Sequence, residues 1–100
     1  MIRIYISGPM SDVADFNHPA FAAEAHRLRA MGFDVESPAE SGSCASWEAY
    51  MRQALIQMLS CDYVSMLPGW RGSRGALIEH TLAGQLSMPI GYTAEPVPVA

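Results

Sequence analysis

Lysine is absent from this chain: all six basic residues are arginine. Its absence excludes a phosphate loop of the Walker-A kind and any Schiff-base lysine, since both chemistries need a side-chain amine. Cysteine is scarce, and Cys44 and Cys61 match neither a CxxC redox pair nor a zinc spacing, so both are expected to be ordinary reduced thiols. His18, His26 and His80 are dispersed without ligand spacing, and neither a metal nor an organic cofactor is expected. No run of about 18 apolar residues occurs, so no membrane span is expected. Met1-Ile2-Arg3 leads straight into a strand pattern without a signal peptide, which makes the cytoplasm the expected location. Positive charge is also short. The net charge of -4 argues against a polymeric nucleic-acid partner, although Arg71 and Arg74 could form a local cationic spot.

What is present is apolar and patterned. Half of the 100 residues are hydrophobic and only 16% are charged, the balance of a compact chain with well-covered elements. Residues 1–93 read as one α/β domain, with residues 94–100 as an extended, proline-broken tail. A domain of this size is small for an enzyme, so a homodimer or higher homo-oligomer that completes a pocket is expected.

Strand and helix patterns alternate along the chain. Arg3-Ile4-Tyr5-Ile6-Ser7 alternates and is rich in strand formers until Gly8-Pro9 breaks it, predicting a first, central strand. Residues 11–18 are polar and turn-prone, and Pro19 suits the first position of a helix. That helix buries Phe21, Ala25, Leu28 and Met31 on one face, with Glu24, Arg27 and Arg29 elsewhere, and Gly32 ends it. Phe33-Asp34-Val35-Glu36-Ser37 reads as a second strand, stopped by Pro38 and followed by a loop over residues 39–46. Ser46 is a candidate cap for a helix with Trp47, Met51, Ala54, Leu55, Met58 and Leu59 at the 3.6 period. A third strand is expected over Tyr63-Val64-Ser65-Met66-Leu67 and a fourth over Met88-Pro89-Ile90-Gly91-Tyr92. Met51, Met58 and Met66 read as core filler. This alternation implies right-handed crossovers and a small doubly wound, flavodoxin- or Rossmann-like parallel sheet of four to five strands with helices on both faces. Loops 7–18, 37–46 and 68–73 then all leave carboxyl ends of strands, where such sheets bind ligands.

Glycine, arginine, hydroxyl and carboxylate converge in one stretch, Leu67-Pro68-Gly69-Trp70-Arg71-Gly72-Ser73-Arg74-Gly75-Ala76-Leu77-Ile78-Glu79. Pro68-Gly69 stops the third strand, and Ser73 suits an N-cap. Glu79 falls in the second turn, and helical side chains lean toward the N-terminus, which carries its carboxylate back toward the turn. Gly75, four residues earlier on the same face, leaves a gap beside it, at a helix start that favours an anionic or polar ligand. The pattern predicts a small-molecule pocket with Glu79 as its wall.

Tyr5-Ile6-Ser7-Gly8-Pro9-Met10, Leu67-Pro68-Gly69-Trp70 and Ser73-x-Gly75-Ala76-x-x-Glu79, in that order and spacing, resemble the nucleoside 2-deoxyribosyltransferase-like family, over about residues 1–92. The likeness is to a compact branch often encoded by phages or bacteria, and the Ser-x-Gly-x-x-x-Glu pattern is also similar to the 2′-deoxynucleoside 5′-monophosphate N-glycosidases. The resemblance implies cleavage of an N-glycosidic bond, with Glu79 attacking C1′ to form a covalent deoxyribosyl-enzyme that water or a second base resolves. A carboxylate is a competent nucleophile toward an oxocarbenium-like centre, and a helix start helps to keep it ionised. The resemblance sets Tyr5 beside the sugar, which would lie between Tyr5, Gly8 and Glu79. It also implies a preference: the residue matching Ser73 is aspartate in enzymes acting on nucleosides and serine in hydrolases acting on monophosphates, so a 5′-monophosphate is favoured, with Arg71 or Arg74 assisting. In the family an aspartate commonly stands at the position matching Ala54, where it orients the glutamate or protonates the leaving base. General-acid help of that kind is worth about 10² to 10⁴ in rate.

Ser7, Gly8, Pro9 and Met10 at the first strand's end, and Gly69, Trp70, Ser73 and Gly75 at the third crossover, are the expected substrate contacts. Trp70, in a turn, is expected to be exposed, to stack on a base or pack on a second subunit. Asn17, with Asp12 and Asp15, is a candidate ribose contact. His80 is expected to face solvent or an interface. Two other classes remain open: a nucleotide-binding or sequestering protein of the same fold without turnover, and a pure interaction domain of flavodoxin-like shape. A dinucleotide site ranks below these, because no GxGxxG follows the first strand.

Overall fold

The computed structural model describes residues 1–42 and 44–93. The tail expected over residues 94–100 lies outside the described residues. Four strands, β1 (Arg3–Ser7), β2 (Asp34–Glu36), β3 (Tyr63–Met66) and β4 (Ile90–Tyr92), form one parallel sheet in the order β2-β1-β3-β4. Three helices connect them: α1 (His18–Ala30), α2 (Trp47–Leu59) and α3 (Arg74–Gln85). β1 is interior, as its alternating pattern predicts. The chain leaves β1 for β2 on one side and returns to β3 on the other, so the strand order reverses between β1 and β3. That crevice is where doubly wound sheets bind ligands.

The two-residue period of β1 divides the core. Ile4 and Ile6 pack with Phe21, Ala25 and Leu28 of α1 on one face. Tyr5 joins Val64 and Met66 of the sheet with Met58 of α2 and Ala76 and Ala83 of α3 on the other. Helices therefore cover both faces, and Tyr5 and Ser7 point toward the α2/α3 layer because strand side chains alternate. The methionines expected in the core are there: Met51, Met58 and Met66 are all buried.

Local signals account for the helix starts. Ser46 and Ser73 are the N-caps of α2 and α3, accepting from Ala49 N at 3.0 Å and Ala76 N at 3.2 Å. α1 begins one residue earlier than expected, at His18, with Pro19 in its first turn and Asn17, in the left-handed region, preceding it. β2 and β4 are also shorter than the strands expected over residues 33–37 and 88–92. Phe33 donates its backbone N–H to Leu28 rather than to the sheet, and Pro89 has no N–H to give.

The helical period misplaces one charge. Glu24, expected off the buried face of α1, is buried against β3. Ser65 Oγ donates to it at 2.7 Å, and Arg27 donates from Nε at 2.8 Å and from Nη2 at 2.9 Å. These charge-assisted bonds offset the desolvation of a carboxylate that a pattern of apolar residues alone places in solvent. Met31, expected on the same buried face, caps the helix end and is 53% exposed.

Candidate functional site

α3 lies on the sheet across β1 and β3, and small side chains let it come close: Ala76 and Ala83 are both buried on its inner side. Glu79 shares that inner side, three residues from Ala76 and four from Ala83, and reaches β1. Tyr5 Oη donates to its Oε2, and Ser7 Oγ donates to its Oε1 at 2.7 Å. Tyr5 and Ser7 are two residues apart on a strand and so present both hydroxyls to one carboxylate. The carboxylate faces the Tyr5 and Gly8 side of the sheet and not bulk water.

Glu79 is only 5% exposed. Burial raises its pKa, the bonds from Tyr5 and Ser7 oppose the rise, and the outcome is a value pushed up to about 6. Tyr5 is driven well above its ordinary value by its own burial and by the charge and hydrogen bond of Glu79, so it remains a donor. No arginine is ion-paired to Glu79 among the described residues. The site therefore combines an anion with neutral hydroxyl donors, an arrangement that leaves a carboxylate ionised near neutral pH yet poorly solvated.

This has a consequence for stability. Folding raises the Glu79 pKa from 4.5 to about 6, so the folded state holds the extra proton between those values. Stability contributed at low pH is lost as pH rises through that window, by roughly 2 kcal/mol at about 1.4 kcal/mol per unit. Glu79→Gln, which has no charge to desolvate, is expected to gain in thermal midpoint over the wild type as pH rises from 4.5 to 7.5. A pH-independent difference between the two would contradict the burial of the charge.

In front of Glu79 lies a cavity of about 350 Å³. Gly8, Pro9 and Met10 supply its β1 side, and Gly69, Ser73, Arg74 and Gly75 its β3–α3 side. Trp47, Tyr50 and Met51 close it from α2. These three were not foreseen as site residues. Their spacing of three and four at a helix start is the signal that could have found them, because it sets them on one face beside the carboxyl ends of the strands.

The expected contacts divide. Tyr5, Gly8, Pro9, Met10, Gly69, Ser73, Gly75 and Glu79 all line the cavity. Ser7 is fully buried and does not line it; its hydroxyl reaches the site only through its bond to Glu79 Oε1. Asn17 does not line it; its left-handed backbone belongs to a loop in which Asp12, Asp15 and Phe16 also have positive φ. Asp12 does line the cavity, whereas Asp15 does not.

Trp70 requires a correction. It is 9% exposed and turned away from the Glu79 cavity, its ring stacked on His80 at 4.1 Å and on Tyr92 at 5.8 Å between centroids. Gly69, at φ 85°, begins a 3-10 turn that directs the indole toward β4. His80 is corrected with it: rather than facing solvent or an interface, it is half-buried against Trp70 and within 2.8 Å of the Tyr92 hydroxyl. Arg71 lies over Trp70, outside the cavity, whereas Arg74 lines the cavity and lies over Trp47 at 4.2 Å.

Gly75 also acts differently from the expectation. A Cβ there would sit 2.9 Å from Met51 Sδ, so its missing side chain admits α2 as well as opening onto the cavity. Asp62 is far from the site: its carboxylate accepts from Arg3 N at 2.9 Å, at the amino end of the sheet. Ala54 is buried on α2 and does not line the cavity. Cys44 and Cys61 are free thiols. No three His, Cys, Asp or Glu side chains converge to hold a metal ion among the described residues, and no helix there is long and apolar enough to cross a membrane.

The fold and cavity define a doubly wound α/β domain with a buried carboxylate at its switch point. The chain belongs to the family described as Domain of unknown function (DUF4406), whose model matches residues 2–92. No curated protein matches it. Among solved structures it is similar to a 2-deoxyribosyltransferase from the psychrotolerant bacterium Bacillus psychrosaccharolyticus, with a TM-score of 0.64 and 19% identity over 96% of this chain and 77% of that one. At that identity the likeness shows the fold.

Proposed function

We propose that the protein cleaves the N-glycosidic bond of a 2′-deoxynucleoside, its 5′-monophosphate favoured, by attack of Glu79 on C1′. The deoxyribosyl group then passes to water or to a second base. The observation that carries this reading is the Glu79 carboxylate itself: buried, held by two neutral hydroxyls and open to a cavity of about 350 Å³ at the strand crossover. With a pKa of about 6 it is mostly ionised at pH 7 and only partly compensated, which suits a nucleophile toward a centre of developing positive charge. Each oxygen keeps lone pairs beyond the one that Tyr5 or Ser7 occupies. The shared fold with a deoxyribosyltransferase supports the same chemistry.

The 5′-phosphate is assigned to the start of α3, with Ser73 as donor and Arg74 beside it. Ser73 Oγ accepts the capping bond from Ala76, which leaves its own hydrogen free for a phosphate oxygen. Aspartate caps a helix as well as serine does, so Ser73→Asp should fold. It is expected to weaken kcat/KM for monophosphates by at least about tenfold through like-charge repulsion while sparing the nucleosides. Equal effects on both substrates would remove the phosphate from this position. A homodimer or higher homo-oligomer is part of the proposal, supported by the exposed apolar side chains Ile56 and Leu59 of α2 and Leu77 and Ile78 of α3.

The direct test is incubation of the protein with each deoxynucleoside and its 5′-monophosphate, with and without an acceptor base, followed by chromatography for free base. Release without acceptor means hydrolysis, and exchange with acceptor means transfer. Calorimetric binding of a nucleotide without either product would establish instead the sequestering alternative, which the alanine at position 54 favours.

A further inference from the structure

A second hollow, of about 510 Å³, adjoins the Glu79 cavity. Met10, Ser11, Pro38, Trp47 and Tyr50 line both and form the wall between them. Two of these residues carry hydroxyls, the exposed Ser11 and the half-buried Tyr50. The Tyr50 hydroxyl, at the end of a ring held in the wall, is weakly partnered. It lies 2.9 Å from the Met10 thioether sulfur, a poor acceptor, and 3.3 Å from the Pro38 carbonyl, at the long end of hydrogen bonding. A donor facing a cavity with such acceptors is free to turn to a better one. The other two hydroxyls near the carboxylate, those of Tyr5 and Ser7, are already engaged by it.

We infer that Tyr50 holds the leaving base: its phenolic O–H donates to a ring nitrogen or carbonyl oxygen of the base as the bond to the sugar breaks. This rests on the glycosidic reading above. The sugar lies on the Glu79 side of the wall and the base crosses it toward the second hollow, where the Trp47 ring offers a stacking face. Burial and the charge of Glu79 push the Tyr50 phenol up to about 12, so it stays protonated and acts by hydrogen bonding without transferring its proton.

A Glu79 oxygen forms its bond to C1′ while the C1′–N bond breaks and its electron pair passes to the base. The base anion is stabilised by the Tyr50 donor. Water then attacks C1′, leaving its hydroxyl on the sugar and its proton on the base, and Glu79 departs as the carboxylate.

Tyr50→Phe keeps the ring and removes only the donor. Its kcat is expected to fall about 10- to 100-fold on ordinary deoxynucleoside monophosphates, the range of a hydrogen bond to a charged group. On an N7-methylated purine substrate, whose base departs neutral, the loss is expected to stay within about threefold. Incorporation of 3-fluorotyrosine at position 50, a stronger donor of nearly the same shape, is expected to raise kcat on ordinary bases and guards against a folding defect in the phenylalanine variant. A loss uniform across all leaving groups, or one confined to KM, overturns the assignment while leaving the proposed activity intact. Failure of the wild type to release any base overturns the activity itself, and this inference with it.

Discussion

Replacing Glu79 with glutamine is expected to lower base release from a deoxynucleoside monophosphate by about 10³-fold or more, a loss of at least ~4 kcal/mol of transition-state stabilisation. Glutamine is close to glutamate in shape and can still bond to the Tyr5 and Ser7 hydroxyls, but its amide is not a competent nucleophile. Because it also removes a desolvated charge, the variant should be at least as stable as the wild type at neutral pH, so the loss is separable from unfolding. Substrate binding should survive within about tenfold. For the wild type, kcat/KM should rise with pH through a limb near 6, the value to which burial brings the carboxyl group. Single-turnover assays of base release, with circular dichroism and calorimetry on both proteins, check each part. Turnover of the variant within tenfold of the wild type would remove Glu79 from the chemistry.

Gly8→Ala is expected to destabilise the fold by about 1–3 kcal/mol, the usual range for overpacking a close contact. A Cβ on Gly8 would stand 2.7 Å from Leu67 Cβ and 2.9 Å from Leu67 Cδ1. The first of these is the root of a side chain, not its flexible end, so relief requires movement of backbone. That movement is opposed, because Leu67 N donates to Ser7 O at 2.8 Å and Leu67 is itself buried. For a domain of this length each kcal/mol lowers the melting midpoint by roughly 4–8 °C, so a fall of the order of 10 °C is anticipated in a thermal scan. Gly8 also lines the cavity, and nucleotide affinity should fall with its displacement. Gly84→Ala serves as the control: nothing lies within 4 Å of its added Cβ, and in the last turn of α3 alanine should be neutral or stabilise by up to about 1 kcal/mol. Equal effects of the two substitutions would mean that the β1 and β3 ends are not in contact.

Much of this arrangement is legible in the sequence of residues alone. The alternation of Ile4, Tyr5, Ile6 and Ser7 already separates two faces of an interior strand, and the turn at Pro68-Gly69 with the cap at Ser73 already sets the phase of α3. From that phase, Glu79 had to point back along its helix. What the linear pattern misjudged were contacts between elements distant in sequence. Trp70 follows a turn and looks exposed, yet His80 and Tyr92, 10 and 22 residues later, form the stack that buries it. Gly75 looks like a vacancy for a ligand, yet the Met51 thioether approaches it from another helix. Glu24 looks solvated, yet a serine 41 residues on donates to it in the core.

Period and punctuation, which act over a few bonds, determined from the sequence alone that strands and helices alternate, that the strands run parallel, and that one acidic side chain is carried toward their carboxyl ends. Which side chains close around that acid, and how far its proton affinity shifts, was decided by the assembled layers. Desolvation and hydrogen bonding depend on atoms brought together in space, and no spacing along a chain specifies how much water the packed helices exclude.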